Sequence, residues 1–293
     1  MGKLTFYIVD VFAEEKYAGN QLAVFRGGQE LTSAEMQNIA REINFSEITF
    51  IQSEVPHDGG FDVRIFTPRE EVPFAGHPTL GTAHIIRNEI IQQPVEKIVL
   101  NLKAGQIPVS YGNDKDGIAW MKQLEPSSGQ QFNPEEIAKI LSLDSSEIDD
   151  DFPVEEISTG LPIMIVPLKT LESLKKARIV RDLYFAFVKN TWAKAILVFC
   201  PMARNPQNQI SVRVFVDYYG VPEDPATGSG NGCLAVYLVK HRYWGQPSID
   251  IRSEQGYEID RPSLLYLKAN KIDGKINVFV GGQSITIAQG QFV

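Results

Sequence analysis

Two short segments place a glycine turn directly ahead of a helical pattern: Pro73-Phe74-Ala75-Gly76-His77 and Pro225-Ala226-Thr227-Gly228-Ser229. A glycine turn that opens a helix presents unpaired backbone N–H groups and the positive end of the helix dipole, a natural seat for a carboxylate or phosphate. Two such turns facing each other would grip a small anion, with His77 and Ser229 at equivalent places to donate hydrogen bonds to it. Gly228-Ser229-Gly230-Asn231-Gly232 lacks the Lys-Ser/Thr of a P-loop and the spacing of a dinucleotide fingerprint, which disfavours nucleotide binding. Taken singly, each turn reads equally well as a tight entry into a close-packed helix.

Proton transfer needs an acid or base beside that seat. Glu47 stands in Asn44-Phe45-Ser46-Glu47-Ile48-Thr49-Phe50, at the opening of a strand pattern. Buried among Phe45, Ile48 and Phe50, a carboxyl has its charged form disfavoured and can both give and take a proton near neutrality. The same pattern also fits an ordinary surface glutamate. Asp224 precedes the second turn in Glu223-Asp224-Pro225, where Asp-Pro is also a common turn starter. His77, flanked by Gly76 and Pro78, reads as an exposed tip, whereas His57 (loop), His84 (helix) and His241 (helix end) have weaker claims. There is no H-E-x-x-H, C-x-x-C or clustered His-Asp-His, so a metal site lacks support. No G-x-S-x-G occurs, and Cys233, five residues past Gly228, reads as a small buried apolar residue.

The elements that must hold these residues are mostly short β-branched and aromatic runs. Strands are expected over Leu4–Val9, Gln21–Phe25, Ile48–Gln52, Phe61–Phe66, Ile98–Leu102 and Ile107–Tyr111, then Ile163–Val166, Ala195–Phe199 and Ile210–Val216. Thr32-Ser33-Ala34-Glu35 has the form of a capping box and opens an amphipathic helix, with Met36, Ile39, Ala40 and Ile43 on one face and an end near Asn44. A second helix is expected with Pro78 at its first position and Leu80, Ala83 and Ile86 on one face. Helical patterning returns at Leu171–Ala177 and after Gly228. The stretch Glu125–Asp151, rich in Pro, Ser, Gln, Asn and Asp, reads as a connection that holds a short helix over Pro134–Leu141. A weak repeat spans that connection: Val63-Arg64-Ile65-Phe66 and Val212-Arg213-Val214-Phe215 stand 149 residues apart, and Gly76 and Gly228 stand 152 apart. Each half therefore reads as strand, loop, glycine turn and helix, the pattern of a duplication whose second loop is three residues longer.

The 293 residues suit two domains, and 43% apolar with 22% charged residues is the composition of a folded globular chain. A net charge of −8 argues against a nucleic-acid or anionic-membrane partner. Two cysteines, Cys200 and Cys233, are too few for a disulfide framework and fit a reducing cytoplasm. The longest apolar stretch, around Ala193 to Cys200, falls far short of the ~20 residues that span a bilayer, and Asp10 breaks the N-terminal apolar run before a secretory core forms.

Gly19-Asn20, the Asn44–Phe50 run, Phe66-Thr67-Pro68 through Glu71-Val72-Pro73-Phe74-Ala75-Gly76-His77-Pro78-Thr79-Leu80-Gly81, and Glu223-Asp224-Pro225-Ala226-Thr227-Gly228-Ser229 together resemble the phenazine-biosynthesis PhzF-like isomerases. The matches span most of the chain in the right order. The resemblance implies an α+β architecture of the diaminopimelate-epimerase fold: two similar domains, each a curled β-sheet around a central helix, with the active site in the cleft between them. With the boundary at the polar connection, an N-terminal domain is expected at 1–125 and a C-terminal domain at 126–282; the resemblance implies that a returning strand within 283–293 completes the first and that the chain forms a homodimer.

In phenazine-making members the matching glutamate shuttles a proton to isomerise a dihydro-hydroxyanthranilate without metal or organic cofactor. On that resemblance Glu47, His77 and Asp224 are the catalytic residues, and Asn20, Gly76, Gly228, Ser229 and Gly230 bind the substrate. Related diaminopimelate epimerases carry a cysteine at each glycine turn, where this chain has Ala75 and Thr227, neither of which can take a proton from carbon as a thiolate can. Gln21 stands where relatives usually carry proline, and Gly230-Asn231 replaces the residues often seen after the matching serine, two departures expected to reshape the pocket. The leading expectation is a cofactor-independent isomerase that moves a proton within a small carboxylate-bearing molecule. The alternatives are a non-catalytic binding or interaction protein on the same fold and a cysteine-dependent epimerase using Cys200 or Cys233.

Overall fold

The structure, a computed structural model, describes residues 4–112 and 117–293. It divides into two compact units, residues 1–121 with 281–293 and residues 122–280. The change of unit at Met121–Lys122 falls ahead of the polar stretch that begins at Glu125, because strand pairing continues to Met121.

In the first unit, strands β1 (Leu4–Val11), β2 (Asn20–Arg26), β3 (Ile48–Ile51), β4 (Phe61–Phe66), β5 (Glu71–Val72), β6 (Lys97–Leu102), β7 (Gly105–Tyr111) and β8 (Ala119–Lys122) accompany helices α1 (Ser33–Ile43) and α2 (Gly76–Ile85). The C-terminal strand Ser284–Phe292 pairs antiparallel with β1, β1 antiparallel with β2, β2 parallel with β3, and β3 antiparallel with β4. The edge of β4 is shared. Antiparallel β5 takes Ile65 and Phe66, and parallel β6 takes Phe61 and Asp62.

Helix α1 starts at the expected capping box, with Thr32 and Glu35 bonded reciprocally. Its Met36, Ile39 and Ala40 pack on Ala23, Phe25, Ile48, Phe50 and Phe66. Helix α2 lies against β1, β2, β3, β6, β7 and the C-terminal strand, so the sheet wraps around it and burial extends round the helix. Gly81 permits that approach: a Cβ there would stand 2.6 Å from Leu22 Cδ2 and 2.7 Å from Val11 Cγ2. The helix begins at Gly76 rather than at Pro78, which sits third; proline is tolerated there because the N–H groups of a whole first turn lack intrahelical acceptors.

The second unit contains β9 (Ser127–Phe132), β10 (Val154–Ser158), β11 (Pro162–Pro167), β12 (Ala195–Cys200), β13 (Ile210–Val216), β14 (Val221–Asp224), β15 (Ser248–Gln255), β16 (Ser263–Ile272) and β17 (Lys275–Gly282), with α3 (Pro134–Ile140), α4 (Leu171–Lys176), α5 (Arg181–Val188) and α6 (Gly228–Lys240). The strand order repeats the first unit step for step. β10 is antiparallel to β9 and β11, β11 parallel to β12, and β12 antiparallel to β13, whose edge is again shared between antiparallel β14 and parallel β15. Helix α6 lies against β10, β11, β15 and β16, as α2 lies in the first unit. Strand β9 lies within the stretch read as a connection; its Ser-Ser-Gly-Gln-Gln is polar because it is an exposed edge, and only Phe132 at its end packs against the core. None of the described helices is long and apolar enough to cross a membrane.

The duplication extends to side chains. Arg64 on β4 pairs with Glu71 on β5 at 2.9 Å and lies 5.1 Å from the Phe66 ring centroid. At the equivalent places Arg213 pairs with Glu223 at 2.8 Å and lies 4.8 Å from the Phe215 ring. The second pair is the more buried, with Arg213 7% exposed against 27% for Arg64, and Arg213 also donates to Leu174 O (3.0 Å) and Ala177 O (2.7 Å) at the end of α4. Truncating one partner of a buried pair leaves the other charged and unsatisfied, so Arg213→Met is expected to destabilise by about 3–5 kcal/mol. Arg64→Met should lose roughly 1–2 kcal/mol. Urea unfolding of the two variants checks the difference, and equal losses would contradict this account.

Candidate active site

The outer helices α1, α3 and α4 are closed by side-chain caps from Thr32, Asn133 and Thr170, whereas neither Ala75 nor Thr227 caps the helix that follows it. The first-turn N–H groups at Gly76 and His77 and at Gly228, Ser229 and Gly230 therefore lack the side-chain cap that α1, α3 and α4 have; α5, which follows Val180, is also uncapped. Intrahelical bonding begins only at Thr79, which donates to Ala75 O, and at Asn231, which donates to Thr227 O.

At the first turn, Glu47 occupies the bend between α1 and β3, and its half-buried carboxyl (23% exposed) approaches His77, with Oε2 3.6 Å from Nε2. That separation is too long for a hydrogen bond, and among the described residues Nε2 has no hydrogen-bond partner although it is buried. The other ring nitrogen is engaged by the backbone of Gln21. Burial pushes the His77 imidazole down to about 3, against the opposing effect of that backbone bond. His77 is thus neutral at ordinary pH, brings no positive charge to Glu47, and aims the Nε2 lone pair at it. The expected exposed tip is instead a buried ring, because α2 is enclosed on all sides by the sheet that wraps it. Asn20, buried at the start of β2, accepts from Ser46 Oγ at 3.5 Å and so ties down the residue beside Glu47.

At the second turn, Asp224 ends β14 and is half-buried, its Oδ2 accepting from the Thr227 hydroxyl at 2.5 Å. Ser229 is half-buried in the first turn of α6, between the buried Gly228 and Gly230. A Cβ at Gly230 would crowd Thr227 Cγ2 at 3.2 Å and Leu197 Cδ1 at 3.3 Å, so this glycine also serves close packing. Behind the turn stands a residue with no sequence signal, Gln255 at the end of β15, which bonds to Asp224, Thr227 and Asn231. Asn231, expected to reshape the pocket, is fully buried and faces Gln255 and Ser253. The Gln21 side chain is exposed, and its contribution is the backbone bond to His77.

Comparison with known proteins bears on this arrangement. The pattern of the PhzC-PhzF family, described as phenazine biosynthesis-like proteins, matches residues 9–290. The chain belongs to this family. It is 33% identical over 291 residues to the trans-2,3-dihydro-3-hydroxyanthranilate isomerase of Pseudomonas aeruginosa, with 98% of each chain covered. The crystal structure of a PhzF-family protein from Bacillus anthracis superposes over 100% of both chains with a TM-score of 0.92 at 24% identity. A probable proline racemase from Agrobacterium radiobacter shares the fold alone, with a TM-score of 0.62 at 11% identity over 99% of this chain and 93% of the other.

In this PhzF-family chain the two thiols lie away from the helix starts. Cys200 sits in the apolar cluster under α3, α4 and α5, and Cys233 is enclosed in α6 beside Thr159 and Leu161. Burial pushes them up to about 11 and about 12, so neither supplies a thiolate, which argues against the cysteine-dependent epimerase. The remaining histidines have local roles: His241 pairs with the buried Glu155 at the end of α6, His57 is exposed near Asp58 and Asp62, and His84 contacts Thr286 at 3.1 Å. Among the described residues no three His, Cys, Asp or Glu side chains converge as a metal site.

Burial also lowers His84, to about 4. A histidine depressed when folded stays neutral while its unfolded counterpart takes a proton below about 6.5. Its contribution to stability is therefore complete above about pH 6.5 and is lost as pH falls towards the folded value. Replacing His77 with Gln should flatten the pH dependence of unfolding between pH 5.5 and 4 by about 1.4 kcal/mol per pH unit. Urea denaturation across that range measures it; an unchanged slope would mean that His77 titrates normally.

Proposed function

We propose that this PhzF-type isomerase moves a proton between two carbons of a small carboxylate-bearing metabolite, with Glu47 as the shuttle. The observation that carries the reading is the Glu47 carboxyl, half-buried against a neutral His77 beside a helix start that no side chain caps. Glu47 as carboxylate breaks a C–H bond and becomes the acid. The released pair forms a new C=C bond, the displaced pair of the old double bond takes the proton back at a second carbon, and the carboxylate is restored. The sequence of steps is redox-neutral and closes on one carboxyl, which suits a reaction without cofactor.

In this reading the uncapped backbone N–H groups at Gly76, and those at Gly228, Ser229 and Gly230, receive carboxylate oxygen, which is supported by the lack of a side-chain cap at either helix start. His77, with Nε2 as an acceptor, receives a hydroxyl or carboxyl proton rather than donating one. Asp224 and Ser229 supply further polar contacts, and Asn20 supports the bend that carries Glu47. The proposal keeps a homodimer of this chain and a reducing cytoplasm, the latter supported by two buried, free thiols.

The substrate named for the Pseudomonas aeruginosa relative, trans-2,3-dihydro-3-hydroxyanthranilate, is the first probe. Incubated with it in D2O, the parent chain should wash deuterium into a carbon position, and Glu47→Gln and Glu47→Ala should lose two to four orders of magnitude in rate. Undiminished exchange in both variants would remove Glu47 from the chemistry.

A further inference from the structure

The hydrogen bonds behind the second glycine turn run in one direction. The Thr227 backbone N–H can only donate and the Asp224 backbone C=O can only accept, and both contact the Gln255 amide, at 3.1 Å to Oε1 and 2.7 Å to Nε2. Those two backbone groups fix which end of the amide is which. Because Gln255 Nε2 also donates to Thr227 Oγ1 at 3.0 Å, the threonine must give its own hydroxyl hydrogen elsewhere, and it goes to Asp224 Oδ2. On the other side, Gln255 Oε1 takes a hydrogen from Asn231 Nδ2 at 2.8 Å, which turns Asn231 Oδ1 towards the Ser253 hydroxyl at 2.7 Å. Ser253, Asn231, Gln255 and Thr227 thus donate in series and end on one carboxyl. Asn231 and Ser253 are 0% exposed, Gln255 1% and Thr227 8%.

The fold itself does not require the chain. Strand pairing and the repeated turn make Val72, Ala75, Thr79, Leu100 and Leu102 the counterparts of Asp224, Thr227, Asn231, Ser253 and Gln255. Four of those five are apolar, and the first unit builds the same strand, turn and buried helix with them. Only one link is shared: Thr79 Oγ1 donates to Ala75 O at 2.7 Å as Asn231 Nδ2 donates to Thr227 O at 3.1 Å. A polar series buried in one copy and replaced by leucine, alanine and valine in the other serves what that copy alone does.

We propose that Asn231, Gln255 and Thr227 are positioning residues for the reaction, whose one-way hydrogen bonds hold the Asp224 carboxyl as an acceptor at the second helix start. This rests on the reading of Asp224 as part of the substrate site. The chain predicts a slowly exchanging Thr227 hydroxyl proton, observable by NMR of the whole protein without any ligand, retained in Thr227→Ser and exchanging faster in Gln255→Met. With trans-2,3-dihydro-3-hydroxyanthranilate in D2O, Thr227→Val should lower kcat about tenfold, the equivalent of one charged hydrogen bond, with KM little changed and Thr227→Ser restoring the rate. Gln255→Met should lower kcat in the parent and add little once Thr227→Val is present, because its effect passes through the hydroxyl. A Thr227 hydroxyl that exchanges freely in the parent, or parent-like kcat in Thr227→Val, overturns the proposal. If those two signatures appear while Glu47→Gln leaves exchange intact, the shuttle reading fails and the positioning chain stands. If Glu47→Gln abolishes exchange while Thr227→Val does not change it, the chain alone fails.

Discussion

The structure depends on two helices that start without a side-chain cap at the centre of a wrapped sheet. Burying a helix on all sides is favourable only if its polar ends are satisfied, and at the C-terminal ends of α2 and α6 the N–H groups of Ile86 and His241 bond back to helix carbonyls. At the N-terminal ends the turn residues are Ala75 and a Thr227 whose hydroxyl is spent on Asp224. Several N–H donors are therefore held in place by the helix with no side chain to cap them.

Duplication gives each unit the same uncapped start of a central helix and separates the features common to both copies from those confined to one. The Arg–Glu–Phe arrangement occurs in both units at equivalent places, next to the shared strand edge, and locks β5 or β14 to the neighbouring strand. Glu47 with His77, and Asp224 with Thr227 and Gln255, each occur in one unit only. Features common to both copies belong to the architecture, and features confined to one copy belong to its task.

The same fold in a probable proline racemase at 11% identity shows how little of the sequence the architecture needs. The PhzC-PhzF family pattern, by contrast, matches this chain over residues 9–290. Burial in helix α6 pushes the Cys233 thiol up to about 12 despite its contact with Thr159, so it supplies no thiolate.

Local signals in the chain were enough to find the capping box at Thr32, the strand Phe61–Phe66, the glycine turns and the internal repeat, because each is written in neighbouring residues as an apolar period or a turn signature, whereas the α+β architecture followed from the family resemblance of the motifs. Edge strand β9 escaped because an exposed strand has no apolar face to reveal it. The burial of His77 and its loss of charge were decided only by tertiary structure, since they come from strands up to two hundred residues away closing around α2. Gln255 likewise meets Asp224 across 31 residues through the parallel pairing of β13 and β15. Sequence alone determined which groups are present and which local elements carry them; hydrogen-bond direction, burial and protonation depend on the atoms that surround a group, and only the folded chain brings those atoms together.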